Sequence, residues 1–400
     1  MISSFSNTFH GLTIFRNLLQ DPVVHKFQQL LSLLSARDFS DRWVDTYCDF
    51  AAVLYKTTDN IGDHLLKLAL EDENLFVTRT SSGQEIPAAI RQSLDRELAI
   101  LQKLAALDSH RVKALAGLTE EEASLLPDWE GRDLNFTEIY EERLATIHKK
   151  GYGIFARYHV FTVNDGTLVP VKYPDRQQLS ELTGYEKERG RIIANTEALL
   201  AGKPANNALL YGDAGTGKSS TVKAIANAYK DQGLRLIEVK KNQLYQIPEL
   251  VETLSYNPLK FILFIDDLSF STNDNDFSAL KAILEGSVGG RSDNLVIYAT
   301  SNRRHLIKET LSDREGDDIH LADTMQELMS LSARFGLTIT FSRPEKELYL
   351  TIVKALAAQY EIELDEQALC VRAEAHAIRN GGRSPRVARQ FIELLKSGVQ

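Results

Sequence analysis

The stretch 208-ALLYGDAGTGKSSTVKAI-225 constrains this chain more than any other: an apolar strand, a glycine-rich turn and an amphipathic helix in immediate succession. The turn runs Gly212-Asp213-Ala214-Gly215-Thr216-Gly217-Lys218-Ser219, with Ser220 continuing it. A core has no use for such a run, because each glycine gives up packing area and costs backbone entropy when it is ordered. At a strand-to-helix junction the spacing Gly-x-x-x-x-Gly-Lys-Ser turns main-chain N–H groups inward around phosphates, and the positive end of the following helix adds to the attraction. The pattern therefore assigns Lys218 to the β and γ phosphates of a nucleoside triphosphate and the Ser219 hydroxyl to Mg2+.

A magnesium nucleotide also needs a carboxylate at the carboxyl end of a neighbouring strand, where open α/β sheets bind ligands. Asp266 and Asp267 stand directly after the apolar run 261-FILFI-265. Two adjacent carboxylates capping a buried strand are poor packing material, since unpaired buried charge is costly. Asp266 reads as the metal-side residue and Asp267 as the group that orients the attacking water. Asn302, in 298-YATSNRR-304, ends the next apolar run, where its amide would touch the γ-phosphate or that water without itself titrating.

The remaining residues frame this site. Residues 1–152 carry helical periodicity, as in 26-KFQQLLSLLSA-36 and 86-IPAAIRQSLDRELAILQKLAAL-107, with Pro87 at a helix start and a capping box at Thr119 and Glu122. They form a mainly helical N-terminal domain suited to binding a client or partner. Residues 153–178 contain 158-YHVFTVNDGTLVPVKY-173, which alternates around Asp165-Gly166 and predicts a hairpin connector with Pro170 on an edge strand. Over 179–343 short apolar strands alternate with helices, the signature of a parallel sheet covered on both faces. Residues 344–400 return to helical periodicity and predict a lid.

With a net charge of -9 the chain has no global field that would attract nucleic acid. Cys48 and Cys370 are the two cysteines and lack any metal-ligand spacing. The longest apolar run is far below the ~20 residues that span a bilayer, and the N-terminus lacks a basic segment followed by a long apolar one. A cytoplasmic protein without membrane contact is expected.

The series Gly212–Ser219, Asp266-Asp267, Asn302, Arg334 and Arg386 resembles the AAA+ P-loop ATPase superfamily, whose Walker A, Walker B, sensor 1, arginine finger and sensor 2 occur in that order. More narrowly, 207-NALLYGDAGTGKSSTVKAI-225, 263-LFIDDLSF-270, 297-IYATSNRRHLI-307 and 331-LSARFGLTITF-341 resemble a bacterial family of predicted ATPases known as domain of unknown function 815, over roughly residues 155–400. The resemblance implies an α/β fold with a five-stranded parallel sheet of order 5-1-4-3-2 and a helical lid. It also implies ATP and Mg2+ bound at the interfaces of a homo-oligomeric ring or open assembly. Arg334 would reach a neighbour's site as the finger, Arg386 would clamp the γ-phosphate with Arg383 as fallback, and Gly184 and Tyr185 would contact adenine.

Two departures qualify the resemblance. Many members carry Asp-Glu where this chain has Asp266-Asp267, which shortens the reach of the second carboxylate and implies slow hydrolysis. The segment after the second strand, 241-KNQLYQIPEL-250, lacks the aromatic-apolar-glycine signature of polypeptide-gripping members, and its single aromatic, Tyr245, is expected in the core. The functional expectation is an ATPase that remodels or loads a macromolecular client, protein or nucleic acid. The alternatives are an ATP-dependent switch or scaffold with slow hydrolysis, and a nucleic-acid-associated loader drawing on Lys240, Lys241, Arg303, Arg304 and the lid arginines 372, 379, 383, 386 and 389. The glycine-rich segment 286–294 reads as a central-pore or inter-subunit loop, or as a plain exposed turn.

Overall fold

The computed structural model describes residues 9–268, 280–281, 283–284, 293–302 and 334–398. Arg303, Arg304 and most of the glycine-rich segment 286–294 lie outside the described residues. The chain divides into two compact units, Met1–Arg157 and Tyr158–Gln400.

The described part of the first unit is built from helices, the longest being Pro22–Ala36, Asp41–Leu54, Ile61–Glu71, Ala88–Ala105 and Phe136–Ala145. Starts follow local chemistry: the Asp21 carboxylate accepts the N–H groups of Val23 and Val24 ahead of Pro22, and Asn60 does the same for Gly62 and Asp63. Thr119 and Glu122 close a reciprocal capping box. The apolar faces meet in one aromatic-rich core. Phe27 stacks on Phe50 at 4.8 Å between ring centroids, and Trp129 packs against Tyr47 and Phe50.

A carboxyl side chain lies fully inside this unit. Glu97, 0% exposed on helix Ala88–Ala105, accepts the N–H groups of Thr13, Ile14 and Phe15 at 2.9 to 3.2 Å. The N-terminal segment therefore obtains from a side chain the bonds that a strand partner would otherwise supply.

The second unit holds a seven-stranded sheet: β1 (Val160–Asn164), β2 (Thr167–Pro170), β3 (Ala208–Gly212), β4 (Leu234–Glu238), β5 (Lys260–Ile265), β6 (Leu295–Ser301) and β7 (Leu337–Phe341). Their spatial order is β2-β1-β4-β5-β6-β3-β7, parallel throughout except for the β1–β2 hairpin. The expectation of a five-stranded, all-parallel sheet is corrected to a mixed sheet of seven. Counted from β7, the five strands β3–β7 do lie in the order 5-1-4-3-2.

The additional strands are the hairpin that sequence reading had set aside as a connector. Its turn is tight, with Asp165 and Gly166 both at positive φ, 48° and 75°. Val160, Phe161 and Val163 are buried, and β1 pairs in parallel with Leu236–Glu238 of β4. Without it β4, with Leu234, Leu236 and Ile237 buried, would end the sheet as a bare hydrophobic edge. Pro170 lies on β2, the outermost strand, where a missing N–H breaks no ladder.

Helices Lys218–Tyr229 and Glu186–Leu200 and the last three helices, Lys346–Gln359, Glu366–Arg379 and Pro385–Ser397, share one core with the sheet. Val222, Ile225, Ile192, Tyr349, Ile352 and Phe391 join Leu210, Phe264, Ile339 and Phe341 in it. The expected burial of Tyr245 is overturned. The 3-10 turn Lys241–Gln246 buries Leu244 and directs the next side chain outward, leaving Tyr245 68% exposed.

Replacing Glu97 by Ala leaves the N–H groups of residues 13–15 buried without acceptors. We expect urea unfolding of the full chain to register a loss of at least about 3 kcal/mol in the helical unit, with Glu97→Gln recovering part of it.

Candidate functional site

The glycine turn leaves the carboxyl end of β3, flanked by β6 and β7, a topological switch point where open α/β sheets form ligand crevices. Gly212 has φ 134° and lies so close to β7 that an added Cβ would run into the Phe341 carbonyl. Asp213 continues the closure: its N–H donates to Phe341 O at 3.1 Å and its carboxylate accepts the Arg343 N–H at 2.9 Å. Gly212 and Asp213 thus seat the loop on β7 and Ala214 is exposed outside the cleft, whereas Gly215, Thr216, Gly217, Lys218, Ser219 and Ser220 line an open cleft of about 450 Å3.

Lys218 is buried and fully engaged. Its ammonium donates to the carbonyls of Gly212 (2.9 Å) and Asp213 (2.7 Å) and to Asn302 Oδ1 (3.0 Å). Burial pushes the amine below the ordinary lysine range, while Asp213, Asp266 and Asp267 nearby favour its charged form. The Asn302 amide completes a bridge by donating to Asp267 Oδ1 at 2.7 Å. Lys218, Asn302 and Asp267 thus form one chain across the cleft, although 84 and 35 residues separate its links.

The Ser219 hydroxyl donates to Asp266 Oδ1 at 2.6 Å. A hydroxyl and a carboxylate converging in this way are the hard oxygen donors that Mg2+ takes alongside phosphate oxygens and waters, so the donor set fits the ion. Among the described residues no group of three or more His, Cys, Asp or Glu side chains is placed to hold a metal without a substrate.

The cleft brings together most of the expected residues and leaves some out. Arg386 lines it, and its N–H donates to Gly215 O at 3.1 Å, tying the start of helix Pro385–Ser397 to the glycine turn. Arg383 does not line it; that guanidinium pairs with Glu374 at 2.6 and 2.9 Å. Gly184 and Tyr185 also lie outside its walls. The Tyr185 ring packs 5.4 Å from Phe341 and its hydroxyl donates to Ser342 O at 2.7 Å, because φ 59° at this helix start turns the side chain into the core. The adjacent Glu181, Leu182 and Thr183 line the cleft instead. Arg334 precedes β7 at the edge of the sheet where β3 begins, away from its own chain's glycine turn.

Besides Glu181, Leu182 and Thr183, the lining residues Thr300, Ile352, Leu356, Pro385 and Arg389 were not expected at the cleft from sequence. Thr300 left a faint signal, a hydroxyl at the end of an otherwise apolar strand. The apolar pair looks like ordinary helix core until the helix Lys346–Gln359 is folded onto the cleft.

Residues 155–399, more than half of the chain, match the family described as Protein of unknown function (DUF815). The chain belongs to this family. Within the wider AAA+ ATPase superfamily that includes it, a Replication factor C large subunit from Staphylothermus marinus is 30% identical over 122 residues, covering 28% of each protein. A Holliday junction branch migration complex subunit RuvB from Solibacter usitatus is 27% identical over 230 residues, 56% of this chain and 61% of that one. The DUF815 chain thus spans less than two thirds of the length of either curated relative. Among solved structures, Thermotoga maritima RuvB aligns with a TM-score of 0.36 and 18% identity over 54% of this chain and 63% of that one. AMPPCP-bound DnaA from Aquifex aeolicus aligns with 0.39 and 18% over 56% and 66%.

Because Gly212 combines positive φ with a close approach to β7, Gly212→Ala is expected to lower stability by at least about 2 kcal/mol. Calorimetry with Mg-ATP should show weakened uptake, whereas Gly166→Ala, at an open turn, should leave uptake unchanged.

Proposed function

We propose that this protein is an ATPase that binds and hydrolyses Mg-ATP where two copies meet and uses the turnover to remodel or load a macromolecular client in the cytosol. The observation that carries the reading is the convergence of Lys218, Ser219, Asp266, Asp267 and Asn302 at one cleft formed by a glycine turn and a helix start. No described helix is long and apolar enough to cross a membrane.

In this reading the N–H groups of Gly215–Ser220 and the start of helix Lys218–Tyr229 bind the phosphates, and Lys218 exchanges Asn302 for a phosphate oxygen. Leu182, Thr183, Ile352 and Leu356 pack around the base. Ser219 and Asp266 would hold Mg2+, which would supply charge neutralisation to the phosphates. Asp267 then orients a water in line with the γ-phosphorus, with Asn302 fixing the carboxylate. Positioning and charge neutralisation lower most of the barrier, since phosphoryl transfer asks little covalent chemistry of the protein. Arg386 clamps the γ-phosphate from the same chain. Arg334, distant from its own chain's glycine turn, serves a neighbouring copy, a contribution worth about 10³–10⁵ in rate for a finger of this kind.

A second reading is a slow nucleotide switch or scaffold. It is favoured by the short Asp267 carboxylate and by its bond to Asn302, which occupies Oδ1 in this conformation. The client class is also a proposal. The named relatives act in replication and on Holliday junctions, which supports a nucleic-acid client. The lid arginines give that idea less than their number suggests: Arg383 pairs with Glu374, Arg389 donates to Gln177, and Arg386 faces the cleft.

We expect Lys218→Ala to abolish Mg-ATP binding, and Asp267→Asn to retain binding but lose at least about 100-fold in turnover. Unimpaired hydrolysis by Asp267→Asn refutes the assignment, and vigorous client-stimulated turnover in the native protein excludes the slow switch. If DNA or RNA is the client, affinity measured from about 50 to 200 mM salt should fall steeply, as phosphate contacts require; salt-insensitive association argues for a protein.

A further inference from the structure

Thr300 is 2% exposed at the end of β6, yet it holds three consecutive residues of the acidic turn after β5. Its hydroxyl donates to Asp266 Oδ1 at 2.5 Å. The same oxygen accepts the Asp267 N–H at 2.9 Å, and its main-chain carbonyl accepts the Leu268 N–H at 2.7 Å. Asp267 takes a left-handed backbone, φ 52°, a conformation costly for most residues and tolerated best by Asp and Asn. The turn keeps that conformation because Thr300 anchors it on both sides.

We infer that Thr300 is a positioning residue for the proposed hydrolysis: one hydroxyl aims the metal-side carboxylate of Asp266 and fixes the backbone from which Asp267 projects. Resting on the Mg-ATP reading, the inference extends it to a residue whose hydroxyl acts through Asp266 and Asp267. The Asp266 oxygen that Thr300 contacts is also the acceptor of Ser219, so a single bond geometry sets both proposed Mg2+ ligands. Removing the hydroxyl while keeping the volume releases Asp266 to rotate toward Ser219 alone and leaves the Asp267 N–H only its longer bond to Asp266 Oδ1 at 3.2 Å. Partners of ligating groups commonly contribute 10- to 100-fold to metal affinity or activity when removed.

The test compares native protein with Thr300→Val, Thr300→Ser and Thr300→Ala in the full chain. Mg-ATP binding is followed by calorimetry across a Mg2+ titration, and turnover is measured at saturating Mg2+. Thr300→Val should need about 10-fold more Mg2+ for half-maximal ATP binding and lose about 10- to 100-fold in kcat, with KM for ATP changed by less than about 3-fold. Thr300→Ser should restore both properties to within about 3-fold of native. A folded Thr300→Val with native Mg2+ dependence and turnover overturns the inference while leaving the ATPase reading intact. If Thr300→Val does not fold, the Ser and Ala forms decide, since both lack the methyl and only Ser keeps the hydroxyl: equal behaviour of the two overturns the inference. Native protein that takes up no Mg-ATP defeats the underlying reading, and the inference falls with it.

Discussion

The site depends on a buried ammonium that its own loop surrounds. Removing the Lys218 charge from water would be prohibitive without compensation, and three acceptors supply it: the carbonyls of Gly212 and Asp213 and the amide oxygen of Asn302. Two of those acceptors belong to the glycine turn itself. Directing their carbonyls onto the lysine leaves the N–H groups that follow facing the cleft, so the buried cation also shapes the turn around it. Asn302 brings β6 into the same arrangement, and through Asn302 the Asp267 carboxylate is linked to Lys218.

The close seating of Gly212 on β7 extends this dependence to the sheet. Asp213 bonds Phe341 on one side and Arg343 on the other, so the loop is clamped to the last strand just before the chain enters the lid helices. From the lid, Arg386 returns to bond Gly215. Strand, loop and lid form a closed circuit around the cleft, a route by which phosphate contacts would reach the lid. The left-handed Asp267 gives a physical reason for an Asp-Asp pair here: that backbone conformation suits a short polar side chain better than a longer one.

Much of this was legible in the sequence because it depended on short-range rules. A phosphate turn, an acidic pair after an apolar run and an amide after the next are read from spacing, and the apolar runs themselves announce buried parallel strands. The hairpin at Asp165-Gly166 was equally readable, but its place was not: pairing of β1 with β4 joins segments about 75 residues apart, and no local pattern encodes which edge will accept a hairpin. Tyr185 and Tyr245 show the same limit in opposite directions. One was expected at the ligand and packs on Phe341; the other was expected in the core and stands in solvent. Each outcome turns on a backbone angle or a 3-10 turn that periodicity does not register.

By itself, then, the amino-acid sequence determined the chemical class of the site, since the identity and spacing of Gly212–Ser219, Asp266, Asp267 and Asn302 specify groups that suit a magnesium triphosphate. It also determined the parallel α/β layering, because a strand buried on both faces must be continuously apolar. Tertiary structure alone decided that the sheet has seven strands, that Arg386 and not Arg383 reaches the cleft, and that Thr300 holds the acidic turn. Those outcomes rest on contacts between residues tens to more than a hundred positions apart. Their hydrogen-bond geometry exists only once β5, β6 and the lid helix have been brought side by side.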